Sequence, residues 1–302
     1  MSSIFELNEE ELNSFPDPNE YFHRLSKLDN YDFDCHSYEE IEKIFYEHAV
    51  ILPSLIVKQP KEYYSELFLY RARLNIDNYD LELINTHSYP NSYFCQENGR
   101  CNLKGRSVFY CSDNPNAALY EINPKVGDTG YLSMWQIRSK ESIKFTSLLP
   151  PELPNGNRWI SFAKESNERN IIRWQSKYPK LVSSYKLLKA FVAEKFYTEK
   201  APYYLSSFIS NKLLYENSTN DMLIYRSVKV DGLYCNMAVH PNFVDEGLSL
   251  KKIVRFKINA INENTYNFST GKVGEFNNGK IKWRNRNKDD EKDIFNYFSK
   301  EP

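Results

Sequence analysis

The chain has 302 residues and a formal net charge of −1, so it carries no overall positive charge that would hold nucleic acid. Its five cysteines are scattered and match neither a disulfide framework nor paired zinc-ligand spacing. The first residues lack a signal-peptide pattern, and no apolar run is long enough to cross a bilayer. We therefore expect a soluble cytoplasmic protein that binds neither a membrane nor a metal.

Residues 1–60 predict an acidic, helical N-terminal extension. Pro16 and Pro18 divide this stretch, and Ser37 to Glu40 has the pattern of a capping box that opens a helix. Up to Glu47 the carboxylates far outnumber the lysines and arginines. This charge raises the hypothesis that the extension regulates the rest of the chain in cis.

Residues 61–262 mix strand and helix patterns, which predicts an α+β domain with a mixed sheet core and flanking helices. A helix is predicted to begin at Pro115, with Asn114 as its cap, and to stop near Asn123. Helical periodicity is also present at 181–197 and 203–215. Apolar or alternating stretches predict strands at 67–73, 106–111, 130–137, 222–227, 233–239 and 252–258.

Residues 263–302 predict a hairpin followed by a basic and acidic tail. Gly274 to Ile281 comes close to a phosphate-binding loop, but Ile281 stands where a Ser or Thr must bind magnesium. Asn277 to Gly279 lies between two strand-like runs and is typical of a hairpin turn. We therefore interpret this segment as a hairpin.

One short loop–strand–helix segment carries the residues best suited to chemistry: Arg100, Tyr110 and Glu121. A guanidinium on a glycine-preceded loop can bind two oxygens of a diphosphate. A tyrosine at a strand end can stack on a flat heterocycle, and more strongly on a positively charged one. A glutamate can accept hydrogen bonds from ribose hydroxyls and stabilise an oxocarbenium ion.

A single carboxylate is enough for this chemistry when the leaving group departs as a neutral molecule. Ordinary glycosidases need a second carboxyl group as the acid. The N-glycosidic bond of NAD joins ribose to a pyridinium, and its cleavage releases neutral nicotinamide. NAD therefore meets the condition for cleavage by a single carboxylate.

The same segment resembles the RES domain, a family named for conserved arginine, glutamate and serine residues. The resemblance covers roughly residues 65–260, including a likeness of Leu69 to Arg73 to the opening strand of the family. Downstream, Ile224 to Ser227 and Asn236 to Val239 resemble its serine- and asparagine-containing strands. Cys101 and Arg226 depart from the pattern, standing where an aromatic residue and a proline are usual. The residues that fall on the first motif are Gly99, Arg100, Asn102, Gly105, Tyr110, Ala118, Leu119 and Glu121.

The resemblance implies a fold similar to that of ADP-ribosyltransferase toxins and an activity that consumes NAD⁺ as substrate, without a further cofactor. It implies that Arg100 binds the phosphates and that Tyr110 packs on the nicotinamide side. Glu121 would stabilise the cation or hold the ribose, and Ser227 would orient Glu121 or the ribose. Many members are toxins paired with an antitoxin, so an antitoxin or immunity protein is an expected partner. Further substrate-binding candidates are Arg71, Asn102 and Asn236.

Three functions remain open at this point. The favoured one is an NAD⁺ glycohydrolase, because water needs no second binding site. The second is a mono-ADP-ribosyltransferase, in which a protein side chain or a small molecule captures the same cation. The third is a non-catalytic binding protein in which Arg100 and Glu121 are merely ion-paired. The sequence leaves the oligomeric state undetermined.

Overall fold

A computed structural model shows an α+β protein whose strands pair in both parallel and antiparallel directions, which confirms the predicted class. The part of the chain that it describes comprises residues 9–13, 15–52, 56–59, 64, 67–138, 143–168, 175–216, 220–262, 265–277 and 279–290. The chain divides into two compact units of three segments each. The first unit contains Met1–Lys58, Cys95–Arg106 and Lys144–Arg226, and the second contains Gln59–Phe94, Ser107–Ile143 and Ser227–Pro302.

The helices follow the caps that the sequence provides. Ser37 and Glu40 form the predicted capping box, and Asn114 caps the predicted helix at Pro115. Short 3₁₀- and π-helical turns cover Ser92–Phe94 and Lys212–Glu216. In chain order the α-helices are α1 (Glu9–Asn13), α2 (Pro18–Asp29), α3 (Tyr38–Ala49), α4 (Ile84–His87), α5 (Pro115–Glu121), α6 (Ile160–Glu168), α7 (Pro179–Thr198), α8 (Tyr204–Asn211) and α9 (Pro241–Gly247).

The strands are mostly short, except for two near the C-terminal end of the chain. None of the helices among the described residues is both long and apolar enough to span a membrane. All five cysteines are free thiols. In chain order the strands are β1 (Ile56–Gln59), β2 (Phe68–Leu74), β3 (Phe109–Ser112), β4 (Thr129–Ile137), β5 (Ile143–Ser147), β6 (Met222–Arg226), β7 (Cys235–Val239), β8 (Leu248–Asn262), β9 (Thr265–Asn277) and β10 (Lys280–Asn285).

In the first unit the N-terminal helices form part of the core. Helix α2 packs against α3 and α7 and buries Tyr21, Leu25 and Leu28, a spacing that places all three on one helix face. The hydroxyl of Ser184 on α7 donates to the carbonyl of Pro16 at 2.9 Å. These helices are thus built into the unit, although the predicted boundaries at residues 60 and 262 stay predictions.

A group of polar residues, the Lys212 cluster, joins α3 to α8 and the π-helical turn in the first unit. The ammonium of buried Lys212 contacts the carboxylates of Glu42, at 2.6 Å, and Glu216. The Tyr38 hydroxyl and the side-chain amide of Asn211 both donate to Glu216, the amide at 2.8 Å. Each carboxylate of the cluster therefore contacts a cation.

The second unit is built on antiparallel strands in the order β7-β3-β2-β4-β8-β9-β10. Helix α5 packs on this sheet through Ala118 and Leu119, which join a core cluster with Leu132 and Phe256. Gly130 lies opposite Phe256, and a Cβ atom there would be 2.3 Å from the Phe256 ring, so only glycine fits. This packing fixes α5, which carries Glu121.

Several predicted boundaries are wrong. The strand expected at 106–111 covers only Phe109–Ser112, because the preceding residues form the loop that carries Arg100. The helix expected at 203–215 begins at Tyr204 and becomes π-helical at Lys212. The strand expected at 252–258 is the 15-residue β8, which pairs with β9 in a long hairpin. Strand β1 lies within residues 1–60, so the prediction that this whole stretch is helical is wrong. Strand β5 and helices α4, α6 and α9 were not predicted.

The expected C-terminal hairpin is confirmed. Strands β9 and β10 pair antiparallel, with Lys280 opposite Asn277. Gly279 has a φ of 84°, a left-handed conformation that glycine adopts without strain. Gly274 lies within β9, where a Cβ atom would meet the Ile281 side chain at 2.7 Å, so this glycine serves strand packing.

Candidate functional site

Glu121 is the last residue of α5 and is exposed. Strand β3 leads into this helix through a short turn in which the Asn114 side chain accepts from the backbone N–H groups of Asn116 and Ala117, at 2.8 and 3.2 Å. Pro115 occupies the first helical position, where its missing N–H costs nothing. The local sequence thus fixes where the helix starts and, seven residues later, where Glu121 stands.

Two buried side chains donate hydrogen bonds to the same oxygen of Glu121. The Ser227 hydroxyl lies 2.6 Å and the Asn236 amide nitrogen 2.7 Å from Oε1. Ser227 is fully buried and Asn236 is 6% exposed. Among the described residues nothing donates to Oε2. The Glu121 group, defined as Glu121, Ser227 and Asn236, therefore holds a carboxylate by one oxygen and leaves the other open.

Backbone pairing brings Ser227 and Asn236 to Glu121. Asn236 lies in β7 opposite Ser112 of β3, the strand that leads into α5. The N–H of Ser227 donates to the carbonyl of Tyr234 at 3.0 Å, and its carbonyl accepts from Gly232 at 2.9 Å. This turn reverses the direction of the chain, so Ser227 and Asn236, which are nine positions apart, both contact the carboxylate of Glu121.

The electrostatic position of Glu121 is unfavourable for stability. A helix C-terminus carries partial negative charge, and an anion there costs roughly 0.3–1 kcal/mol. Helix α5 has no basic residue in its last turn, and Glu121 forms no ion pair within the described residues. The carboxylate is thus oriented by two hydrogen bonds but its charge is not compensated, which suits it to stabilise a cation.

Tyr110 lies on the same sheet face as Asn236. It pairs with Ala238, and because side chains alternate along a strand, Tyr110 and Ser112 share a face with Ala238 and Asn236. The ring of Tyr110 is half-buried. The structure therefore joins Glu121, Ser227 and Asn236 in one group and places Tyr110 on the face where that group lies.

Arg71 lies on the opposite face. Tyr70 is the residue opposite Ser112, so the next residue along β2 points to the other side of the sheet. Its guanidinium donates to the carbonyls of Tyr110, at 2.8 Å, and Ser88, at 3.1 Å, and lies over the Phe109 ring. The structure does not bring Arg71 to the Glu121 group. Arg71 instead links the backbone at Ser88 to the backbone of β3 at Tyr110.

Arg100 belongs to the first unit and is half-buried. Its NH1 nitrogen donates to the carbonyl of Phe196 at 2.6 Å, and its guanidinium carbon lies 4.9 Å from the centre of the Tyr203 ring. A guanidinium has five N–H donors, and within the described residues the other four have no acceptor and no carboxylate pairs with this charge. The arrangement can bind an anion.

Asn102 shapes the loop that carries Arg100. Its buried side-chain amide donates to the carbonyls of Leu103, at 3.0 Å, and Glu97, at 3.4 Å. Its backbone pairs with that of Gly99 across the turn. Asn102 thus has a role in loop geometry, and its expected contact with substrate stays a prediction.

The two departures from the family pattern have structural explanations. The Arg226 guanidinium pairs with Glu194 at 3.0 Å and lies 4.1 Å from the centre of the Tyr197 ring. The adjacent Ser227 still donates to Glu121, so an arginine before the serine is compatible with this contact. Cys101 is buried, and burial raises the pKa of its thiol to about 12, which makes it unreactive.

Sequence reasoning missed Tyr203, which lies beneath the Arg100 guanidinium. No local signal marks it, because the contact joins residues about a hundred positions apart.

No protein-family model matches the chain, and a search of curated proteins finds no match. Within the described residues no group of three or more His, Cys, Asp or Glu side chains could hold a metal ion. The functional interpretation therefore rests on the geometry of the Glu121 group and of Arg100.

Proposed function

We propose that the chain is an NAD⁺ glycohydrolase with a RES-like catalytic fold. The observation that carries this proposal is the Glu121 group. An exposed carboxylate at a helix C-terminus is held through Oε1 by two buried donors and has no cationic partner among the described residues. Such a carboxylate stabilises a positively charged ligand, or a transition state that carries positive charge.

The proposed reaction breaks the bond between ribose C1′ and the pyridinium nitrogen of nicotinamide. The bonding electron pair goes to that nitrogen, so nicotinamide leaves as a neutral molecule and positive charge develops on the ribose. A water oxygen then bonds to C1′ and releases a proton to solvent. The products are nicotinamide, ADP-ribose and one proton, and no general acid is needed for the leaving group.

Each residue of the Glu121 group has a part in this reaction. The carboxylate charge stabilises the ribosyl cation, and the open Oε2 accepts a hydrogen bond from a ribose hydroxyl. Ser227 and Asn236 hold Oε1, so the carboxylate does not have to reorient as the cation forms. Tyr110, on the same sheet face, is proposed to pack against the nicotinamide ring.

Arg100 is proposed to bind the diphosphate of NAD⁺. One of its N–H donors is used by the Phe196 carbonyl, and the remaining donors match the bidentate geometry of phosphate oxygens. Because NAD⁺ loss harms the cell that makes the enzyme, we also propose that an antitoxin or immunity protein blocks the activity in that cell.

The test measures nicotinamide and ADP-ribose after NAD⁺ is mixed with the purified chain, with Glu121→Gln as the variant. Glu246→Gln is a matched control, because Glu246 is also an exposed carboxylate in the last turn of a seven-residue helix of the same unit. We expect equal amounts of both products from the wild type and the control and very little from Glu121→Gln.

The other outcomes are equally informative. Nicotinamide without matching ADP-ribose would replace hydrolysis by transfer of ADP-ribose to an acceptor. A folded wild-type chain that leaves NAD⁺ intact would contradict the proposal. Equal activity of Glu121→Gln and the wild type would remove Glu121 from the mechanism.

A further inference from the structure

We infer that Tyr203 is a positioning residue for Arg100, and that its ring holds the guanidinium in the plane required to bind the diphosphate of the substrate. The inference rests on the proposed function, in which Arg100 binds the phosphates of NAD⁺. It adds a residue that neither motif nor spacing indicated.

The geometry around Arg100 restrains the guanidinium in two ways. The Phe196 carbonyl accepts from NH1 at 2.6 Å, which fixes one corner of the group. The Tyr203 ring lies 4.9 Å from the guanidinium carbon, within cation–π distance, which restrains its position over the ring. The four N–H donors that have no acceptor among the described residues are therefore presented by a restrained group.

A second arginine in the same unit shows what a purely structural stack looks like. Arg226 lies over the Tyr197 ring, but its charge is compensated by Glu194 at 3.0 Å. Arg100 has no acidic partner within the described residues. A half-buried cation without a counter-ion is unfavourable until an anion binds. The difference between the two stacks indicates that Arg100 receives its counter-ion from a ligand.

The backbone of Tyr203 supports this role. Its φ of 57° and ψ of 46° are left-handed, a conformation that is uncommon for an aromatic residue and easier for Gly or Asn. Strained residues of this kind are frequent where a side chain has a function. Because the left-handed backbone places the ring of Tyr203 under Arg100, the strained conformation serves the contact between the ring and the guanidinium.

Helix α8, which begins directly after Tyr203, also holds the Arg100 loop. Both carboxylate oxygens of Glu199 accept backbone N–H groups at the start of α8, from Leu205 at 2.9 Å and Ser206 at 2.8 Å. Further along the helix, the Ser210 hydroxyl donates to the carbonyl of Arg100 at 3.4 Å. The same helix therefore restrains both the backbone of Arg100 and the ring beneath its side chain.

The test compares four variants of the full chain in NAD⁺ cleavage and in binding of ADP-ribose, which carries the diphosphate without nicotinamide. Tyr203→Leu and Tyr203→Asn remove the ring, and the Asn variant also suits the left-handed backbone and therefore keeps the fold. We expect both to raise KM and the Kd for ADP-ribose about fivefold to thirtyfold, with kcat changed less than about twofold. Tyr203→Phe keeps the ring and is expected to behave as the wild type. Tyr197→Leu is the matched control and is expected to leave KM unchanged.

A double-mutant cycle separates positioning from a general effect on structure. In an Arg100→Ala background, Tyr203→Leu should cause no further rise in KM, because the residue through which it acts is absent. An unchanged KM in Tyr203→Asn, or the same rise with and without Arg100, would overturn the positioning role while the glycohydrolase activity stands. A wild-type chain that neither cleaves NAD⁺ nor binds ADP-ribose would overturn the proposed function and this inference together.

Discussion

The Lys212 cluster and the Glu121 group are both polar assemblies with buried members, but only in the first are the charges compensated by ion pairs within the described residues. In the first, two carboxylates contact the ammonium of Lys212, and Tyr38 and Asn211 add donors. In the second, two neutral donors meet one oxygen of Glu121 and no cation is present among the described residues. The first assembly holds helices together, whereas the second leaves a charge to be met by a ligand.

Compensation of charge by neighbouring side chains separates polar groups that stabilise the fold from polar groups that act on a ligand. Ion pairing in the Lys212 cluster offsets the desolvation of its charges, so removal of one partner harms the fold. The carboxylate of Glu121 opposes the dipole of its own helix, so its removal should harm chemistry and not stability. Four predictions test this distinction.

The largest expected effect is that of Glu121→Gln on catalysis. Loss of the carboxylate charge should lower kcat for NAD⁺ by roughly 10²–10³-fold, the range found when one electrostatic contact to a developing charge is lost. The free energy of unfolding should stay equal or rise by a few tenths of a kcal/mol, since an anion at a helix C-terminus disappears. Initial rates and urea unfolding test both parts, and a destabilised but fully active variant would reverse the distinction.

The second prediction concerns Lys212→Met. Removal of the ammonium leaves Glu42 and Glu216 without their cation. Because both carboxylates are about one-third exposed, the free energy of unfolding should fall by about 2 kcal/mol, less than for a fully buried pair. The rate of NAD⁺ cleavage by the folded fraction should be unchanged. Denaturant unfolding measures the loss, and Lys177→Met, which breaks the exposed pair with Glu9, is the control expected to change little.

The third prediction concerns Ser227→Ala. One hydrogen bond to the Glu121 carboxylate is lost, so kcat should fall roughly tenfold to hundredfold while KM changes little. Ser112→Ala is the control, because that buried hydroxyl donates to the carbonyl of Cys235 and not to Glu121. A variant in which both Ser227 and Asn236 are replaced should lose less than the product of the single effects, since both hold one oxygen. Fully multiplicative losses would show that the two donors act independently.

Near neutral pH the smallest effect is expected at His87, and this residue tests whether an unpartnered buried atom is enough to mark a site. Like Oδ1 of Asn236, Nδ1 of His87 has no hydrogen-bond partner within the described residues, while Nε2 bonds the carbonyl of Leu81. Burial lowers the pKa of His87 to about 4. The unfolded chain therefore binds a proton near pH 6.5 that the folded chain does not, and stability should fall as pH drops from about 6.5 to about 4.

The loss at His87 should reach at most about 1.4 kcal/mol per pH unit in that window. His87→Phe should reduce this pH dependence and leave NAD⁺ cleavage at neutral pH unchanged. Denaturant unfolding at several pH values measures the difference between variant and wild type. Lost activity in the variant would show that the unpartnered atom belongs to a second functional site.

The parts of the fold and site that could be predicted depend on local sequence. Asn114 and Pro115 define the start of α5 by their own side chains, and the Ser37 box acts over four residues. The same locality explains why the position of Glu121 on a short helix was predictable. The link of Glu121 to Ser227 and Asn236 spans more than a hundred residues, and it was expected only through a family resemblance.

The parts that could not be predicted depend on register and on rare backbone conformations. The direction of Arg71 follows from the pairing of Tyr70 with Ser112, and a shift of one residue would send it to the other face. Tyr203 reaches Arg100 through a left-handed residue, which propensities do not foresee for tyrosine. Strand β8 extends beyond the predicted segment because β9 supplies pairing partners along its length.

Helix α5 is so short that its exact length determines where the Glu121 carboxylate lies. From the Asn114 cap to Glu121 the helix has room for seven residues, and each residue turns the direction of a side chain by about 100° and advances it by about 1.5 Å. Deletion or insertion of one residue in this helix would swing the carboxylate away from Ser227 and Asn236 even if every remaining side chain were kept. Substitutions on its exposed side are therefore tolerable where a change in length is not, and variation of this segment is expected in residue identity but not in residue number.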